Sequence, residues 1–227
     1  MDRTIVLSIL AAAVLGFLGM LLIMPDPVDD GVARLPWRVG LTPSGQTRVF
    51  GFTLGETTLN EVRDTFGEEG ELNLFRTLGS PPSDSVEAYF ERIYLQRLRA
   101  DFVITMDVDD ATLATAFDRG LRISQLPSGG KKIKLDPVDA ERMAERPIRA
   151  ISYLPKARLD EALLKQRFGE PGERLTETET GIVHWLYPTR GIDIGRDPDG
   201  RVVIQYVNPA DFPKVLDPLR AATSPAS

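Results

Sequence analysis

An uncharged run of 21 residues, Thr4 to Met24, constrains this chain more than any other feature. As a helix it would reach about 31 Å, the thickness of a bilayer's hydrocarbon core. Twelve of its residues are Leu, Ile, Val or Phe, together worth roughly −4 to −7 kcal/mol on an insertion scale. A cleaved signal peptide would carry a shorter apolar region, about 7 to 15 residues, closed by a small-x-small site. Here the run ends Leu21-Leu22-Ile23-Met24-Pro25, so an uncleaved single-pass anchor is expected over residues 1–24, contacting the membrane through residues 4–24. Arg3 precedes the run, while Arg34 and Arg38 follow it. A three-residue tail is easily left in the cytoplasm, and long domains cross a membrane largely regardless of charge. The expected placement is therefore the inner membrane, with the soluble part in the periplasm.

The remaining composition is that of a globular protein, 42% hydrophobic and 26% charged, which argues against wholesale disorder. A net charge of −6 argues against nucleic acid as a partner, since phosphate binding needs a clustered positive surface. There is no cysteine, which excludes disulfides, thiol catalysis and the lipid-bearing cysteine of a bacterial lipoprotein. The single histidine, His184, excludes most histidine-based metal sites.

Residues 25–45, rich in Pro, Gly and Asp, read as a linker, and residues 214–227 as a tail that frays from Ala221. Between them two stretches share a plan. In the first, residues 46–109, Thr58-Leu59-Asn60-Glu61 fits a capping box. Leu59, Val62 and Phe66 follow at helical spacing, with Gly67 as a stop. Beyond a loop through Gly79-Ser80-Pro81-Pro82, two strand-like segments are expected, the second with Phe102, Ile104, Met106 and Val108 in strict alternation. In the second stretch, residues 148–213, Pro155 is read as a first-turn proline of a helix over 156–168. Leu159, Leu163 or Leu164, and Phe168 form its stripe, closed by Gly169. A three-stranded meander follows from Val183-Trp185-Tyr187, Ile192-Ile194 and Val202-Ile204-Tyr206, with a hairpin turn at Asp197-Pro198-Asp199-Gly200. Phe-Gly-Glu occurs at 66–68 and again at 168–170, each at an expected helix end, which favours an internal repeat. Residues 110–147 are read as a helix–hairpin–helix bridge. Its first helix stops at Gly120, its hairpin turns at Pro127-Ser128-Gly129-Gly130, and its second helix starts at Asp136-Pro137. The expected class is α+β: an N-terminal transmembrane helix, then two similar units of short helices packed on antiparallel sheet.

The helix closing in Phe168-Gly169-Glu170-Pro171, then Trp185-Leu186-Tyr187, then a strand after Asp199-Gly200, resembles the SmpA/OmlA (BamE) family. The resemblance covers about 50 residues of the second half and is looser over the first. It implies a helical pair packed on a three-stranded sheet, and a small envelope protein supporting assembly of outer-membrane β-barrels. The fold is similar to that of the β-lactamase-inhibitor protein, which carries two such units in tandem. The present chain departs from those lipoproteins in lacking the lipid-bearing cysteine.

No constellation declares a reaction. Ser128-Gly129-Gly130-Lys131 matches a Ser-x-x-Lys pattern, but the two glycines favour a hairpin tip over the helical turn that chemistry needs. Lys131, Lys132 and Lys134 read as guards of an exposed strand edge. The turn at 197–200 lacks the closing glutamate of a calcium loop. Asp107, Asp109 and Asp110 read as an acidic helix start. His184, beside Ile182 and Leu186 on one strand face, reads as a structural or surface histidine rather than a catalytic one. Trp185, Tyr187 and Tyr206 are the candidate partner-binding residues, as aromatic anchors often dominate interfaces; core packing accounts for them equally. No catalytic, cofactor or metal site is assigned. The functional expectation is a membrane-anchored, extracytoplasmic protein-interaction module in an envelope assembly or maintenance complex. Its alternative is an inhibitor or regulator of an extracytoplasmic enzyme. An enzyme using Glu87, Glu91 or Asp107 would need these carboxylates to converge in one pocket.

Overall fold

The computed structural model describes residues 34–78, 83–127 and 129–223. The expected anchor, the first part of the expected linker, the expected loop at 79–82, Ser128 and the last four residues of the expected tail lie outside them. Among the described residues no helix is long and apolar enough to cross a membrane. The fold is α+β with antiparallel sheets.

Gly40–Leu41 (β1), Thr47–Val49 (β2) and Phe52–Thr53 (β3) form a small three-stranded sheet. Helix Leu59–Phe66 (α1) follows; the Thr58 hydroxyl caps Glu61 N–H while the Glu61 carboxylate returns to Thr58 N–H, and Gly67 closes it at φ 68°. Three strands come next, Glu71–Thr77 (β4), Ser83–Leu95 (β5) and Leu98–Met106 (β6). Helix Asp110–Asp118 (α2) is capped by Asp109, the hairpin pairs Arg122–Gln125 (β7) with Lys131–Lys134 (β8), and helix Pro137–Ala144 (α3) is capped by Asp136. Strand Ile148–Pro155 (β9) then enters the sheet. Helix Glu161–Phe168 (α4) precedes Glu173–Thr176 (β10), Val183–Tyr187 (β11), Ile192–Arg196 (β12) and Val202–Tyr206 (β13), and helix Phe212–Thr223 (α5) ends the described chain.

Ten strands form one continuous sheet, ordered β10-β11-β12-β13-β9-β6-β5-β4-β8-β7. Side chains alternate across a strand, so each strand contributes one set to each face. Phe102, Ile104 and Met106 on β6, Ile151 and Tyr153 on β9, Ile204 and Tyr206 on β13, and Trp185 and Tyr187 on β11 all enter one buried cluster. The small sheet supplies Val49, Phe50, Phe52 and Leu54 to the same cluster, and α1 to α4 supply Leu59, Val62, Leu113, Met143, Leu164 and Phe168. Phe50 and Phe66 meet Phe102 with ring centroids 5.2 and 4.8 Å apart, contacts worth roughly 0.5–1.5 kcal/mol each beyond burial. On the opposite face, among the described residues, only α5 covers the sheet, setting Phe212, Val215, Leu216 and Leu219 against Ala150, Leu186, Val207 and Leu175.

Several expectations are corrected. Residues 34–45 are partly docked: Tyr206, fully buried, donates its hydroxyl hydrogen to Pro36 O at 2.8 Å, and Arg167 lies over the Trp37 ring. A buried phenol needs an acceptor, and this one comes from the expected linker. Pro155 ends β9 and starts no helix; α4 begins at its own N-cap, where Asp160 accepts from Leu163 N–H. Most of the expected tail is α5, whose apolar residues recur at helical spacing despite Pro218 within it. The lysines of β8 guard no edge, because β8 lies between β4 and β7.

Candidate functional site

The face left bare by α5 is the candidate site. In an antiparallel sheet with one buried face, the other normally carries polar residues. Here Phe75, Tyr89, Val103, Leu154 and Val203 are half-buried or exposed there, interspersed with Glu71, Glu87 and Lys132. At one end lies a groove of roughly 540 Å³ between Leu154, Pro155 and Lys156 on one side and Ile182, His184, Gly195 and Val203 on the other.

Two carboxylate centres build the groove. Asp101 on β6 is buried, and a bulge of β5 between Phe90 and Ile93 turns the Arg92 N–H onto it at 2.9 Å, with Arg92 at φ 57°. Tyr89 Oη donates at 2.9 Å and Lys156 Nζ donates as well. Burial pushes the Asp101 pKa up, but Lys156, the Arg92 amide and Tyr89 outweigh it and hold the carboxyl below the usual range. Asp101→Asn should therefore destabilise the protein by about 2 kcal/mol near neutral pH, the scale of hydrogen bonds to a charged group. With a depressed folded pKa, the stabilisation is present above about pH 4, the unfolded value, and fades as pH falls through the folded one. Urea unfolding of both forms at pH 7 and in acid checks this; a difference that stays constant would contradict it.

The second centre is His184 on β11. Both oxygens of buried Asp193 lie 3.0 Å from its Nδ1. Glu177 Oε1 lies 3.3 Å from Nε2 without hydrogen-bond geometry, an ion-pair contact only. Burial alone would lower the imidazole's pKa; the two carboxylates reverse that and raise it. They lie on opposite sides of the ring and cannot close on one ion, and among the described residues no three His, Asp or Glu are grouped to hold a metal. The histidine braces β11 against β12 and the turn that carries Glu177.

Trp185, Tyr187 and Tyr206 point into the opposite, covered face and are 3, 5 and 0% exposed. Tyr187 Oη donates to Gly169 O, and Arg174 lies over the Trp185 ring. Packing is what these three do in the folded chain, and they present no aromatic surface. Of the carboxylates considered for catalysis, Glu87 lines a depression with Tyr89, Val103 and Lys132 that contains neither Glu91 nor Asp107. Glu91 sits on the β5 bulge in an ion pair with Arg92. The turn at 197–200 is a tight hairpin turn, Gly200 N–H donating to Asp197 O. Asp101, Asp193 and Glu177 were not singled out from sequence, because only strand register brings them to Lys156 and His184.

No family model matches the chain, and no curated protein matches it. Among solved structures, a DUF4309 family protein (YjgB) from Bacillus subtilis subsp. subtilis str. 168 aligns with a TM-score of 0.38 and 14% identity, over 72% of this chain and 88% of that one. A likeness at this level decides neither fold nor function.

Proposed function

We propose that this chain is a protein-interaction module held in the inner membrane by residues 4–24, with its soluble part in the periplasm, serving an envelope assembly or maintenance complex. The observation that carries the reading is the half-covered sheet. One face of ten strands is packed under helices, while the other sets apolar side chains among ion pairs around a groove. Such mixed surfaces are where proteins dock on one another. Catalysis forms no part of the reading. The arrangement of two similar units is supported by the order of elements: α1 leads into β4, β5 and β6, and α4 into β10, β11 and β12, with Phe-Gly-Glu at each helix end. A tandem fold of the SmpA/OmlA (BamE) kind belongs to the same proposal.

Affinity purification from gently solubilised membranes tests it. A reproducible envelope partner is expected with the native chain and should be lost with Val203→Asp, which places a charge on the open face without touching the core. Recovery of no protein partner would sink the reading. Protease added to spheroplasts should digest the soluble part without detergent; protection until the membrane is opened would place it on the cytoplasmic side and remove the envelope role.

A further inference from the structure

The large sheet has two edges, and they are treated differently. At β10 the chain is tied to α5: Arg220 pairs with Glu173 at 3.1 Å, and Thr178 N–H, just past the strand, donates to Ala222 O. At β7 all four residues are exposed, and among the described residues no strand pairs with its outer side. An uncovered edge is a template for a further strand, and proteins usually guard one with a charge, a proline or a covering element.

The direction of β7's free groups follows from its register. Leu126 N–H donates to Gly130 O at 2.8 Å, and the ladder continues Ser124↔Lys132 and Arg122↔Lys134. Antiparallel pairs alternate between bonded and non-bonded, so Ser124 and Arg122 turn their backbone groups toward β8. Those of Ile123 and Gln125 point outward. On the core-side face Ile123 lies opposite buried Ile133 yet is 53% exposed, with Leu121 exposed beside it. On the other face Arg122 stands directly opposite Lys134, and Ser124 opposite Lys132.

That arrangement costs stability, since like charges directly opposite on a sheet repel. Lys132 is paired with Glu71, but Arg122, Lys131 and Lys134 are exposed and make no ion pair among the described residues. A basic edge on a chain of net charge −6 is suited to a negative partner. A second copy of β7, Arg122-Ile123-Ser124-Gln125, would bring no carboxylate to these cations.

We propose that β7 is a strand-addition site, and that it takes an extended segment of a partner protein whose side chains alternate apolar and acidic. The backbone of Ile123 and Gln125 supplies the ladder. The apolar side chains extend the row of Ile123 and Ile133, and the carboxylates meet Arg122 and Lys134. This is peptide recognition by strand addition, in which main-chain bonds give affinity and alternate side chains give specificity. The proposal rests on the interaction-module reading and adds to it a surface and a partner chemistry.

The probe is a fluorescein-labelled hexapeptide alternating valine and glutamate, titrated against the full chain in nonionic detergent, with a valine–lysine hexapeptide as its counterpart. Saturable binding of the glutamate peptide is expected, with the lysine peptide at least about tenfold weaker. Gln125→Pro removes only an outward-pointing donor and leaves the β7–β8 ladder whole. It should weaken binding by about tenfold or more while leaving tryptophan fluorescence unchanged. Arg122→Glu should act likewise through charge. Binding absent below about 1 mM, equal binding of both peptides, or indifference to Gln125→Pro would each overturn the proposal. Self-association abolished by Gln125→Pro would overturn it too, making the occupant a second copy. A partner captured from membranes equally well by Gln125→Pro would remove the edge as its site and leave the interaction module standing.

Discussion

His184→Leu is expected to lower the unfolding free energy by about 3–5 kcal/mol, because it strands the buried carboxylate of Asp193 without a partner. Asp193 is 6% exposed, and both its oxygens lie 3.0 Å from the imidazole. The double variant His184→Leu/Asp193→Leu should recover most of the loss. It removes both charges, and position 193 lies opposite Leu186, which already packs under Phe212. The pH dependence has a definite sign. The folded pKa of His184 is raised, so its stabilisation is full below about pH 6.5, the unfolded value, and is lost as pH rises through the folded one. His184 is the only histidine and there is no cysteine, so among side chains this window belongs to it alone. Urea unfolding followed at Trp37 and Trp185 from pH 5.5 to 9 should show native stability falling with pH and the His184→Leu slope much flatter. Parallel slopes would rule out the brace.

Gly191→Ala should cost about 3–4 kcal/mol, combining left-handed backbone strain with overpacking. Gly191 sits at φ 64° between a 3₁₀ turn and β12, and a Cβ there would lie 2.0 Å from Val207 O and 3.1 Å from the Thr47 hydroxyl. That space is already in use: Val207 N–H donates to Gly191 O, and Thr47 Oγ1 donates to Val207 O at 2.7 Å. Gly200→Ala is the matched control, with φ 79° and nothing within 4 Å of its Cβ. It should cost about 1 kcal/mol from the backbone alone. Equal losses in the two variants would show that the close approach of Gly191 contributes nothing.

What could be read from the sequence was what repeats locally. The Thr58–Glu61 box, the left-handed stop at Gly67 and the acidic helix start at Asp109 and Asp110 are set by a few adjacent residues, and each forms as its pattern indicates. So do the alternating runs of β6, β11 and β13. β9 was hidden by a register shift: Thr105 pairs with Ala150 and Met106 with Ile148, leaving Arg149 as an extra residue. The buried positions Ile148, Ile151 and Tyr153 therefore break period two. β4 was hidden because Phe75, on the open face, interrupts the alternation of Leu72 and Leu74. Pro213 and Pro218 masked α5 as breakers, although the apolar positions between and beyond them keep a helical stripe. Of the candidate site, His184 read from sequence as structural or surface; its partner lies nine residues away across a turn, and only the register Leu186↔Asp193 makes them diagonal neighbours. The lysines of β8 were placed on an edge strand because spacing cannot tell which strand of a hairpin lies outermost.

The bonds joining the small sheet and its approach to β13 also set a timetable. Thr47 reaches Val207 across 160 positions and Tyr206 reaches Pro36 across 170. A ribosome adding about 5–20 residues per second needs on the order of 10–30 seconds to cover that distance. Throughout that interval Phe50 lacks Tyr206, one of the rings it packs against. The Thr47 hydroxyl likewise waits for Val207, so the small sheet and the segment before it gain these partners only as synthesis nears its end.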